Sequence, residues 1–111
     1  MFRRVLNQHV ADIERLKVTF SDALVLWAGD FNQTLTGPNY GGSTQSRADL
    51  QAALDHLGIT AWNQDCEHAK QGMHAIDLIC GPRERLVQSP ERIDPDGLSD
   101  HVGYVVTIQA G

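Results

Sequence analysis

Three short polar groups in this sequence carry side chains suited to chemistry. They are Gly29-Asp30-Phe31-Asn32 at the end of an apolar run, Asp77 inside Ala75-Ile76-Asp77-Leu78-Ile79-Cys80, and Ser99-Asp100-His101 just before the last apolar stretch. A carboxylate and an amide two residues apart beyond a strand's end can together hold a hard cation, a water or a phosphate. By themselves, Asp30 and Asn32 fit equally well a turn closed through their own backbone. Asp77 is costly to bury among isoleucine and leucine unless it has a partner, which an arginine would also provide. A histidine oriented by a buried carboxylate serves as acid, base or donor to a phosphate. Ser99-Asp100-His101 in isolation reads more readily as a solvated turn.

These residues need elements to position them. The run 23–32, Ala-Leu-Val-Leu-Trp-Ala-Gly-Asp-Phe-Asn, predicts a fully buried strand that Gly29 bends at its end, so that Asp30 and Asn32 project beyond it. Before it, Phe2, Val5, Leu6, His9, Val10, Ile13 and Leu16 recur at helical spacing, with Arg3, Arg4, Asp12, Glu14 and Arg15 on the other face. A second helix is expected from Ser46 as N-cap to about Leu57, with Leu50, Ala53, Leu54 and Leu57 inward and Gly58 as its left-handed stop. Strands are expected over 59–62, over 75–80 with Asp77 at the middle, over 86–93 as an edge strand interrupted by Pro90, and over 103–108. The expected fold is therefore α/β (α+β), with one β-sheet of about five strands and two helices on one face.

Composition bounds the partners. The chain has 111 residues, 41% hydrophobic and 21% charged, which suits a single domain over 1–111. Its formal charge of −5 disfavours nonspecific nucleic-acid binding. No apolar run reaches the roughly 18 residues of a membrane span. Cys66 and Cys80 form neither a disulfide framework nor a redox pair, so a cytoplasmic protein with reduced thiols is expected.

Weaker patterns have plainer readings. Gly37-Pro38-Asn39-Tyr40-Gly41-Gly42-Ser43-Thr44 nearly matches a phosphate-cradling loop, but Ser43 stands where that loop needs its lysine. A flexible rim in which Tyr40 packs against or shields a ligand fits it better. Cys66, His68, His74 and Cys80 offer zinc-compatible atoms at a spacing that matches no standard zinc motif. His74 reads mainly as a satisfied or solvated histidine, Trp27 as packing, and Arg83 and Arg85 as an exposed pair.

Taken together, in this order and spacing, the three polar groups resemble the endonuclease/exonuclease/phosphatase superfamily of metal-dependent phosphoesterases. The resemblance covers nearly the whole chain and implies a role for each residue. Asp30 would orient or deprotonate the attacking water. Asn32 would hold the scissile phosphate or a second cation. His101 would stabilise charge on the phosphoryl oxygens, with Asp77 fixing its tautomer, and Asp100 would join Asp30, Asn32 and His101 around the metal. Asn32, His101 and Tyr40 would contact substrate, a phosphate ester, and Mg²⁺ or Mn²⁺ would be the cofactor.

The same resemblance implies that the chain corresponds to the C-terminal half of a four-layer α-β-β-α sandwich. The glutamate that is the family's principal metal ligand has no counterpart, since Glu14 reads as a surface charge on a helix. An incomplete site implies low or no activity from the chain alone, or a non-catalytic homologue that keeps only the fold. An uncovered apolar sheet face implies a homodimer or a complementing polypeptide.

Overall fold

The computed structural model describes residues 2–109. The fold is α+β: α1 (Phe2–Thr19), β1 (Trp27–Asp30), α2 (Thr44–Leu57), β2 (Thr60–Ala61), β3 (Asp77–Gly81), a 3-10 turn (Arg83–Arg85), β4 (Glu91–Ile93) and β5 (Gly103–Val105). None of the helices is long and apolar enough to cross a membrane.

The strands form two antiparallel sheets in place of one five-stranded sheet. One is ordered β1-β3-β2, and β4 pairs with β5 as a separate ribbon. Pro82 and Pro90 lack the N–H that a continuous ladder needs, and the 3-10 turn between them carries the chain away from β3. What remains of the expected 86–93 strand is Glu91–Ile93, preceded by an isolated bridge between Leu86 and Ile108, and the expected 103–108 strand shortens to Gly103–Val105.

Both helices pack on one face of the three-stranded sheet. Leu6 from α1 and Leu50, Ala53 and Leu54 from α2 meet Ala61, Leu78 and Cys80 from β2 and β3 in the core. Gly58 closes α2 in the left-handed region at φ 70°, as its position implies. The N-cap is Ser43, however, and Ser46 lies inside the first turn, donating its backbone N–H to the Ser43 hydroxyl at 3.0 Å. Ser43 precedes the first helical residue and so stands nearest the unpaired N–H groups.

The run 23–32 is not a fully buried strand. Only Trp27–Asp30 pairs, at the sheet's edge, with Trp27 turned to the core and Ala28 and Asp30 exposed on the opposite face. An unbroken apolar run signals burial on both faces, but the helices cover only one. Strand β3 likewise begins at Asp77, so the acid opens the strand, half-buried, while Ala75 and Ile76 are buried ahead of it.

The glycine-rich loop serves close approach of backbone. A Cβ on Gly41 would lie 2.3 Å from the Asn32 carbonyl oxygen, and one on Gly42 would lie 1.6 Å from Oε1 of the buried Gln33. Arg47 on α2 ties this loop down, donating to the Gly37 carbonyl at 2.8 Å and to the Thr34 hydroxyl at 2.5 Å. Thr34 in turn accepts the Tyr40 N–H and donates to the Pro38 carbonyl. The segment after Asn32 is thereby fixed against the first turns of α2.

Candidate metal centre

The ladder between β1 and β3 places Asp30 directly opposite Asp77. The Phe31 N–H donates to the Ile76 carbonyl at 2.9 Å, which puts the next pair inward, Asp30 with Asp77, in the non-hydrogen-bonded phase. Residues opposite each other in that phase have their Cα atoms about 4.5 Å apart and their side chains closest. Two carboxylates there repel, so positive charge nearby favours the pairing. His101 supplies some of it, its Nδ1 lying 2.5 Å from Asp77 Oδ2. Ligand atoms of Asp30, Asp77 and His101 all lie within 4.8 Å of one another, and among the described residues this is the one His/Cys/Asp/Glu group arranged to hold a metal ion.

Each member is positioned from its own element. Asp30 Oδ1 accepts the Asn32 N–H at 2.8 Å, so Asp30 does close a turn through the local backbone, while its second oxygen stays available. Asn32 holds φ at 50°, in the left-handed region that Asn tolerates better than most residues. The Ser99 hydroxyl accepts the His101 N–H at 3.0 Å, and the adjacent Val102 is buried, so the loop before β5 holds the imidazole against β3. The hydrogen bond that Nδ1–H donates to Asp77 raises the His101 pKa above its ordinary value, and the Asp77 charge raises it further; partial desolvation opposes this, while Asp100 and Asp30 add to it. With Nδ1 committed to Asp77, Nε2 is the nitrogen left to face a ligand.

Of the other expected participants, Asp100 borders this trio and Tyr40 lies apart from it. Asp100 is 96% exposed, with its carboxylate 3.9 Å from His101 Nε2. Tyr40 packs at a tilt against His68, ring centroids 5.0 Å apart, and the Lys70 Nζ lies over the Tyr40 ring, 5.3 Å from its centre. Glu14 on α1 is bonded to His56 of α2 on the exposed surface. Beside the trio, Ala28, Ile79, Val102 and Tyr104 wall a shallow depression of about 330 Å³ on the sheet face away from the helices. The Tyr104 hydroxyl donates to the Glu67 carbonyl at 2.6 Å, and burial pushes its pKa up to about 12.

The zinc-compatible residues do not converge. His68 Nδ1 accepts the Lys70 N–H and His74 Nδ1 bonds the Thr36 hydroxyl at 2.6 Å. Cys80 is buried in β3, where desolvation pushes its thiol up to about 12. Trp27 packs edge-on to Phe31 at 4.9 Å, as a core-facing strand residue should. Arg83 lies exposed in the 3-10 turn, and Arg85 donates to the Gln109 carbonyl.

One buried residue escaped the sequence reading. Asn63 has no exposed surface, and its side chain bonds the backbone of Asp77 and Ile79. The sequence signal is an amide at the end of the short apolar run Ile59-Thr60-Ala61-Trp62, which is indistinguishable from the asparagines common in turns.

Compared with known proteins, the chain matches no family model, no curated protein and no solved structure. The centre defined by Asp30, Asp77 and His101 therefore rests on its own geometry.

Proposed function

We propose that this chain is a Mg²⁺- or Mn²⁺-dependent phosphoester hydrolase module of the endonuclease/exonuclease/phosphatase type, with a site that other protein surface completes. The observation that carries it is the direct opposition of Asp30 and Asp77 with His101 bonded to one of them. The hard carboxylate oxygens of Asp30 and Asp77 suit Mg²⁺ and Mn²⁺, and the His101 ring beside them faces the phosphate. When bound, the ion would supply charge opposite the phosphoryl oxygens and lower the pKa of the attacking water.

The chain's own residues supply the rest. Asp30, with one oxygen held by the Asn32 N–H, turns the other toward the water it orients. Asn32 offers its amide to the phosphate from the same turn. His101, kept protonated to higher pH by Asp77, donates from Nε2 to a phosphoryl oxygen as negative charge grows there. Asp77 holds the ring in that orientation through Nδ1, as in hydrolytic triads.

Incompleteness is supported by the exposure around the centre. Among the described residues the outer edge of β1 has no strand neighbour, and Leu26, Ile93, Leu98 and Val105 are exposed apolar side chains of the flanking segments. A second copy of the chain or a complementing polypeptide seated there would enclose the centre. The free thiols of Cys66 and Cys80 fit a cytoplasmic setting.

Hydrolysis of a chromogenic phosphodiester by the full chain tests this reading. Weak turnover that requires Mg²⁺ or Mn²⁺ and is lost in both His101→Ala and Asp30→Ala is expected. Absence of turnover above a metal-only blank, or turnover that survives either substitution, would remove the catalytic assignment and leave a non-catalytic homologue that keeps the fold.

A further inference from the structure

Strand β2 ends at Ala61, three residues short of covering the start of β3, and the missing backbone partner is replaced by a side chain. The Trp62 N–H still donates to the Ile79 carbonyl at 2.9 Å, after which the chain turns away, with the Cys66 N–H donating to the Asn63 carbonyl. From that turn the Asn63 carboxamide reaches back to β3. Its Nδ2 donates to the Asp77 carbonyl at 2.8 Å, and its Oδ1 accepts the Ile79 N–H at 2.9 Å. Asparagine's amide has the donor and acceptor of a peptide group, so it continues the ladder where the strand has stopped.

On the other side of β3, the Ile76 carbonyl is held by Phe31, and Gly29 pairs with Leu78. The backbone of Asp77 is thus gripped from both sides, by β1 through its neighbours and by Asn63 directly. We infer that Asn63 is a positioning residue for the metal centre, one that fixes the Asp77 backbone and through it the approach of Asp77 to His101 and Asp30. This rests on the reading of the trio as a metal centre. Outer partners of metal ligands act this way, since they restrict the orientation of the groups that touch the ion.

The burial of Asn63 makes the role specific in chemistry as well as in place. A carboxylate at 63 keeps the size and the acceptor for the Ile79 N–H, but it has no donor for the Asp77 carbonyl. An alanine removes both bonds. If Asn63 merely fills space, both variants lower stability and leave the His101 signal near wild type; if it positions Asp77, both disturb the centre.

The test is Mn²⁺ titration followed by electron paramagnetic resonance, together with the NMR signal of the His101 Nδ1–H in the metal-free protein. Asn63→Ala and Asn63→Asp are each expected to weaken Mn²⁺ binding about 10–100-fold and to broaden or shift the His101 Nδ1–H signal. Leu54→Val, a comparable perturbation in the α2 core, should lower the melting temperature while leaving both readouts near wild type. An unchanged His101 signal in both Asn63 variants overturns the positioning role, whatever the metal result. Altered His101 signals in a protein that binds no Mn²⁺ would instead uphold the positioning of Asp77 and remove the metal-centre reading on which its function depends.

Discussion

Asp77→Asn is expected to return the His101 pKa toward its ordinary value and to reduce metal-dependent hydrolysis by about 10²–10⁴-fold. The first effect follows from the ordering of causes at His101, where the hydrogen bond to Asp77 and then the Asp77 charge dominate the upward shift. An amide keeps the shape but supplies no charge and can present an N–H to Nδ1, favouring the wrong tautomer. The sign of the pH dependence is fixed by the same shift. A histidine whose pKa is raised by folding stabilises the native state fully below its unfolded pKa, and that contribution disappears as pH rises through the raised folded value. In the wild type, stability should therefore fall over the interval just above the ordinary histidine pKa. In Asp77→Asn that fall should be absent. An NMR titration of His101 with urea unfolding across the same pH interval reads both effects.

Gly41→Ala is expected to cost about 3 kcal/mol of folding stability, the sum of a strained backbone and a steric clash. Gly41 sits at φ +84°, and the added Cβ would meet the Asn32 carbonyl oxygen at 2.3 Å, a backbone atom with no cheap way to move. Gly72→Ala separates the two causes. Gly72 has nearly the same φ, +83°, but its Cβ would find nothing within 4 Å, so about 1 kcal/mol is expected there. Gly41→Ala should also weaken metal binding, because pushing Asn32 disturbs the N–H that holds Asp30 Oδ1. Urea denaturation of the two variants, with Mn²⁺ titration of each, checks the difference. Equal losses of stability would mean that the loop yields around Asn32.

Much of the candidate centre could be read from residue types. Asp77 drew notice because an acid among Ile76, Leu78 and Ile79 requires a partner, and in the fold it is bonded to His101. The amphipathic spacing of 2–16 and 46–57 marked both helices, and Gly58 marked where the second stops. The strands were harder, because pairing is a property of the whole chain. Nothing in 23–32 reveals that only one face is covered, and the division into two sheets turns on how Pro82 and Pro90 interrupt the ladder. Asn63 was hidden for a related reason. A side chain that stands in for backbone matters only after β2 has stopped short, and that stop is set by tertiary packing and not by local pattern.

The glycine-rich loop illustrates a motif whose function changed on folding. Its spacing invites comparison with phosphate-binding loops, yet Gly41 and Gly42 serve close packing against Asn32 and Gln33. The loop therefore contributes to the centre indirectly, by holding the turn that carries Asp30 and Asn32.

The most direct measurement is the binding of Mn²⁺ to the metal-free chain by electron paramagnetic resonance, with Asp30→Ala and Asp77→Ala in parallel and the melting temperature followed in each. One ion bound per wild-type chain, a melting temperature that rises with metal, and loss of both effects in the two variants are expected. Wild-type protein that binds no ion, or variants that bind as tightly as the wild type, would contradict a metal centre at Asp30, Asp77 and His101.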